Sequence, residues 1–240
     1  MNRRSFILAS CSTLAVSASR SVDEISELEL AGKKRPPLAG KDVPLRPSAA
    51  EAYMSMRKAA LTEGIKIHIV SGYRSFDRQL RIWNRKYRSM NKTKMTPEEK
   101  FRSILQYSSL PGTSRHHWGT DADLVDLSQP KPEEMLLERH YKKGGVYGDM
   151  YSWLMGNAEK YGFYETYTND SSRTGYAYEP WHWSFAEDSI PFLRKFITID
   201  LRKFVCVREV EGFSSFTPHL MKEFTEKWIK GVNPILFPNG

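Results

Sequence analysis

Cysteine is nearly absent from this chain. Cys11 and Cys206 are the two in 240 residues, and Cys11 falls inside an apolar N-terminal run, so the sequence offers neither an internal disulfide nor a thiolate cluster for a structural zinc. Cys206, within Phe204-Val205-Cys206-Val207, reads as a small buried core residue. Blocks of positive charge are missing too. No Lys/Arg run exceeds three, and 36 basic residues are interleaved with 28 acids, which sets nucleic acid aside as a partner although the formal charge is +8. Internal repeats and low-complexity tracts are also lacking. The charge-free apolar run over residues 6–18 is too short to serve as a permanent bilayer-spanning helix.

That run does have the layout of an export signal. Arg3 and Arg4 precede it, followed by Ser5 and Phe6, which predicts the twin-arginine route for folded proteins with cleavage after Ala18. A rival reading takes Leu8-Ala9-Ser10-Cys11 as a lipoprotein processing site, but the apolar stretch before Cys11 is about five residues against the roughly 7–15 such a region needs. The chain is therefore expected in the periplasm or cell envelope, touching membrane only through the signal or a lipid anchor. Its remaining positive charge would draw it to an anionic matrix such as a cell wall. A monomer is expected. Residues 19–47 are polar and then Pro-rich (Pro36, Pro37, Pro44, Pro47), with no sustained period, and read as a linker.

Order is expected from Ser48, where Ser48-Ala49-Ala50-Glu51 has the form of a capping box opening a helix that Gly64 closes. Ile65, Ile67 and Ile69 alternate with Lys66 and His68 as in a half-buried strand. Ser71-Gly72-Tyr73-Arg74-Ser75 follows as a sharp turn, with Ser75 placed to cap a helix over residues 76–90. Thr96-Pro97-Glu98-Glu99 is a second capping box. Residues 120–127 alternate as a strand, so Asp121 and Asp123 should share one face. A helix near residues 150–160 and strands over residues 162–167 and 176–185 come next, and the tail from residue 186 carries helical patterns at residues 191–197 and 218–230. The fold class is α+β: a small, mainly antiparallel sheet with helices packed on one side, spanning residues 48–185, plus a C-terminal helical extension over residues 186–240 packed on the domain.

Chemistry concentrates in two stretches. Ser114-Arg115-His116-His117-Trp118-Gly119-Thr120-Asp121-Ala122-Asp123 supplies imidazole and carboxylate, the donors that hold a zinc ion with an open position. Sixty residues later, Glu179-Pro180-Trp181-His182 adds a second imidazole with a carboxylate three places before it. On a regular strand residues three apart face opposite ways, so Glu179 and His182 can meet only if Pro180 breaks the ladder.

Together with Ser71-Gly72-Tyr73-Arg74-Ser75, the patterns Ser114-x-His116-x-x-Gly119-x-x-x-Asp123 and Glu179-Pro180-Trp181-His182 resemble the VanY-type D-alanyl-D-alanine carboxypeptidases, zinc peptidases that share a fold with the hedgehog signalling domain. The resemblance implies His116, Asp123 and His182 as ligands to one zinc per chain, and Glu179 as the general base that then returns its proton to the leaving amine. It implies Arg74 as the group stabilising the oxyanion or holding the substrate's terminal carboxylate, and Ser114 as a hydroxyl donor to that carboxylate. Tyr73 and Gln79 are further candidates for lining the site. The implied partners are peptidoglycan stem peptides, with removal of terminal D-alanine as the reaction. An L,D-carboxypeptidase, an endopeptidase of the same family, and a non-catalytic wall-binding module are alternatives that the motifs share. Two departures stand out: Asp121, on the same face as Asp123, occupies a position where the family often has a small apolar residue and is read as a partner behind the ligands or a competing ligand, and His117 adjoins His116 as an alternative ligand, with His116 favoured by its place in the motif.

Overall fold

A computed structural model of the chain describes residues 25–238; the export signal expected over residues 1–18 lies outside the described residues. The helices are α1 (Glu27–Leu30), α2 (Pro47–Thr62), α3 (Phe76–Ser89), α4 (Pro97–Ile104), α5 (Gly148–Asn157), α6 (Ala186–Phe196), α7 (Arg202–Val205) and α8 (Pro218–Phe224). Four strands, β1 (Ile67–Ser71), β2 (Asp121–Asp126), β3 (Phe163–Glu165) and β4 (His182–Phe185), form one antiparallel sheet in the order β1-β2-β4-β3. Among the described residues no helix is long and apolar enough to cross a membrane.

Two-residue alternation gives the sheet two unlike faces. Ile69 lies opposite Leu124, Ala122 opposite Trp183 and Phe163 opposite Phe185, and these apolar pairs bury against Tyr53 and Met56 of α2 and Met150 and Leu154 of α5. The intervening positions are polar: Asp123 pairs with His182, and Asp121 with Ser184. Side chains that would be costly to bury singly are thus gathered on one face. A second core takes its large side chains from α3, α4, α6 and α8, with Trp83, Phe101, Phe196 and Phe224 among them. Trp118 joins it, edge-on to Phe196 at 5.5 Å between ring centroids.

Local signals held where no tertiary contact competed. Thr96 and Glu99 form the expected capping box, Ser75 caps α3, and Gly64 follows α2 with φ +82°. The box expected at Ser48 does not form. Pro47 takes the first helical position of α2, so Ser48 lies inside the helix and its hydroxyl donates to Asp188. At the C-terminal end α6 begins five residues ahead of Pro191, which sits within it, and a π turn (Thr225–Ile229) follows α8.

Residues 25–46 are not the free spacer their composition suggested. Leu30, Ala31 and Leu45 are fully buried. Arg46 donates from Nη2 to the buried Glu29 carboxylate and from Nε to the Trp118 carbonyl at 2.7 Å, while Trp118 Nε1 donates to the Leu30 carbonyl at 3.2 Å. Tertiary burial orders a segment whose local pattern is silent. The segment braces the turn that carries His116.

Candidate metal centre

Two motif segments interlock to build the site. Beyond β1 the chain turns at Gly72, where a Cβ would stand 2.7 Å from the Pro44 ring and carbonyl, so glycine is required for the close approach. The next residues zip onto a 3-10 turn (Arg115–Trp118) that ends at Gly119 with φ +72°. Arg74 N–H donates to the His116 carbonyl at 3.0 Å. His116 Nδ1 lies 2.9 Å from the Gly72 carbonyl, and His117 Nδ1 2.6 Å from the Arg74 carbonyl.

Each imidazole of the cluster has one nitrogen tied away from Asp123 and the other turned toward it. With Nδ1 of His116 donating to Gly72, its Nε2 faces Asp123 Oδ2 at 3.5 Å. His182, the first residue of β4, has Nε2 3.1 Å from Asp121 Oδ1 and turns Nδ1 toward Asp123 Oδ1 at 3.9 Å and Glu179 Oε2 at 3.0 Å. Ligand atoms of His116, Asp123 and His182 all lie within 4.8 Å of one another, and all three residues are buried. Two imidazole nitrogens and one carboxylate oxygen, with the far nitrogens fixed by hydrogen bonds, fit a zinc ion with one coordination position left open. The sheet makes this arrangement stiff, because Asp123 and His182 are a direct cross-strand pair.

Glu179 reaches the cluster because it is not in a strand. Expected on one strand with His182, it lies in a turn before β4, closed by the His182 N–H donating to the Glu179 carbonyl at 3.0 Å. Pro180 is the break that a three-residue spacing demanded. Burial pushes the Glu179 carboxyl up, against the lowering influence of His182. Burial would pull His182 down, but hydrogen bonds to Asp121 and Glu179 and the charge of Asp123 outweigh it and push the imidazole up to about 9.

Arg74 is held from two sides, with Nη1 donating to Gln79 Oε1 at 2.8 Å and Nη2 to Ser71 Oγ at 3.0 Å, and Nη2 stands 4.0 Å from Asp123 Oδ2. It lines a cavity of about 410 Å³ with Ser114, His116, Asp123, Glu179 and His182. Tyr107, Tyr167, Tyr176, Tyr178, Leu136, Leu137 and Glu138 are also in its walls, as are Ile82, Ser108, Ser109, Arg115 and Trp181.

Two expectations change, and the choice of His116 over His117 is settled. Tyr73 does not line this cavity; successive residues of extended chain point opposite ways, and with Arg74 turned inward Tyr73 lies in a separate depression beside Gly32 and Arg35. Gln79 is fully buried and also outside the cavity wall; it ties Arg74 to the Ser109 carbonyl, to which Nε2 donates at 2.6 Å. His117 is excluded as a ligand, because Nδ1 meets the Arg74 carbonyl and Nε2 accepts from the Gly112 N–H at 3.2 Å, with burial pushing its pKa down to about 3. Sequence reasoning missed the tyrosines, although Tyr176 and Tyr178 directly before Glu179 were a readable signal.

Residues 42–188 match the model of the VanY family, described as D-alanyl-D-alanine carboxypeptidase. YodJ of Bacillus subtilis is 33% identical over 141 residues, which are 58% of this chain and 45% of that protein. A D-alanyl-D-alanine carboxypeptidase of Enterococcus faecalis is 25% identical over 131 residues, 53% of this chain and 42% of that one. The chain thus spans about half the length of these two curated relatives. Among solved structures, the LdcB LD-carboxypeptidase is 30% identical with a TM-score of 0.49, covering 64% of this chain and 70% of its own. VanYB in complex with D-alanine-D-alanine is 22% identical with a TM-score of 0.48, covering 64% and 82%. Since the family match takes in more than half of the chain and every residue of the cluster, this chain belongs to the VanY family of D-alanyl-D-alanine carboxypeptidases.

Proposed function

We propose that this protein is a zinc-dependent D,D-carboxypeptidase that removes the terminal D-alanine from peptidoglycan stem peptides, exported to the cell envelope by the signal read in residues 1–18. The observation that carries the reading is the buried His116–Asp123–His182 cluster with the Glu179 carboxylate 3.0 Å from His182, at one side of a cavity of about 410 Å³. A zinc ion held by these three residues would supply a Lewis acid that polarises a carbonyl and acidifies water.

The chain's own groups do the rest. Glu179 accepts the proton of the attacking water at a carboxylate oxygen and passes it to the leaving amine; burial, by raising its proton affinity, suits it to both transfers. Arg74 meets negative charge in the cavity, either on the tetrahedral centre or on the substrate's terminal carboxylate, with its fork fixed in advance by Gln79 and Ser71. Ser114 adds a hydroxyl on the same wall. The tyrosines narrow the cavity around a short peptide end and limit its water.

The deciding experiment is D-alanine release from a stem pentapeptide ending in D-Ala-D-Ala, with chelator and with zinc restored. Release lost to chelator and regained with zinc supports the reading. Release from the tetrapeptide alone moves the activity to L,D-carboxypeptidase, and no release from any peptide by zinc-loaded protein overturns the enzyme reading in favour of wall binding.

A further inference from the structure

Behind His182, on the side away from Asp123, lies a second charged pair that the reaction does not use. Asp121 Oδ1 is 3.1 Å from His182 Nε2 and accepts from Arg115 Nε at 2.8 Å; Asp121 Oδ2 accepts from the Thr120 hydroxyl at 2.6 Å and from Ser184 Oγ at 3.1 Å. Arg115 donates from Nη2 to Ser184 Oγ at 2.7 Å and lies over the Trp118 ring at 4.6 Å. Asp121 is wholly buried and Arg115 nearly so.

A buried ion pair is a poor device for stability, because desolvating both charges offsets most of their attraction. This pair therefore calls for another use, and its geometry supplies one. Asp121 contacts the nitrogen of His182 that faces away from the cluster. A carboxylate there favours the neutral tautomer with the proton on Nε2 and the lone pair on Nδ1, the nitrogen that stands 3.0 Å from Glu179, and fixes the plane of the ring. Left alone, it would add a third carboxylate charge beside Asp123 and Glu179; Arg115 offsets that charge through its 2.8 Å contact with Asp121 Oδ1.

We propose that Asp121 is a positioning residue for the metal, holding His182 with Nδ1 presented, and that Arg115 is the counter-charge that allows a carboxylate to sit there. The proposal rests on His116–Asp123–His182 being the metal centre, and a readout independent of turnover tests it: zinc affinity, measured by competition with a chromophoric chelator. Removing Asp121 alone strands a buried cation, so the informative variants share an apolar partner, Arg115→Met with Asp121→Ala and Arg115→Met with Asp121→Asn. With folding verified by near-ultraviolet circular dichroism, the Ala form should bind zinc about 10–100-fold more weakly than wild type. The Asn form, whose carbonyl still accepts from Nε2–H, should recover much of that loss, which a role in packing alone would not produce. A folded Ala form at wild-type affinity, or equal affinities of the Ala and Asn forms, overturns the proposal while the metal centre stands. His116→Ala that binds zinc as wild type does would overturn the metal centre and the proposal with it.

Discussion

On the proposed reading, Glu179 moves a proton and Gln79 keeps Arg74 still. Glu179→Gln preserves the shape and removes the base, so turnover should fall by about 100-fold or more while bound zinc, measured by atomic absorption, stays near one per chain. Undiminished turnover would rule out the base. Gln79→Leu leaves the chemistry intact but releases Arg74 Nη1 from its 2.8 Å bond. One hydrogen bond to a charged group contributes about 1.5–3 kcal/mol, so KM for the peptide should rise roughly tenfold or more with zinc content unchanged. A larger fall in kcat than rise in KM would instead assign the guanidinium to the tetrahedral centre.

At the level of elements, the short α1 and the start of α2 act together as a clamp. Glu29 and Arg46 pair with almost no exposure, and Arg46 also holds the Trp118 carbonyl. Glu29→Ala strands the buried cation and should destabilise the protein by about 3 kcal/mol or more, read as a lower urea midpoint; Thr96→Ala removes an exposed cap and should cost about 1 kcal/mol. The same contrast explains what could be read from the sequence. Thr96, Ser75 and Gly64 act through neighbours within three residues, and they stand where their pattern put them. The cluster of His116, Asp123 and His182 was legible because each motif is local and its tertiary join is a plain cross-strand pair, Asp123 with His182. Tyr73 and Gln79 lie outside the cavity wall for reasons far away in the chain: the turn at Gly72 packs on Pro44, and Gln79, in α3, is drawn to the Ser109 carbonyl. Residues 25–46 carry no period at all, and their order comes from partners such as Trp118 that no local window contains.

Across the whole molecule, one buried acid outside the site should leave a mark on pH dependence. Glu165, at the end of β3, accepts a bond from Tyr151 at 3.0 Å, and burial pushes its carboxyl up to about 7 from an ordinary 4.5. Between those values the unfolded chain has released a proton that the folded one keeps, so stability falls as pH rises through the window and levels off above it. The loss is about 3 kcal/mol at most, at roughly 1.4 kcal/mol for each pH unit. Urea unfolding at pH 5 and pH 8 should show this component in the wild type, and Glu165→Gln should flatten it; an unchanged difference between the two pH values would place its origin elsewhere.

The clamp formed by α1 also separates two things that a family match tends to merge. Residues 42–188 match the family and include the whole candidate cluster, yet the turn bearing His116 leans on Leu30 and on an arginine whose counter-ion is Glu29, both upstream of that boundary. Gly32 even packs its backbone against the His117 ring. A protein trimmed to the matched residues would carry the whole candidate cluster and lack the wall against which His116 is held. The unit that inheritance marks in this chain is smaller than the unit that must fold.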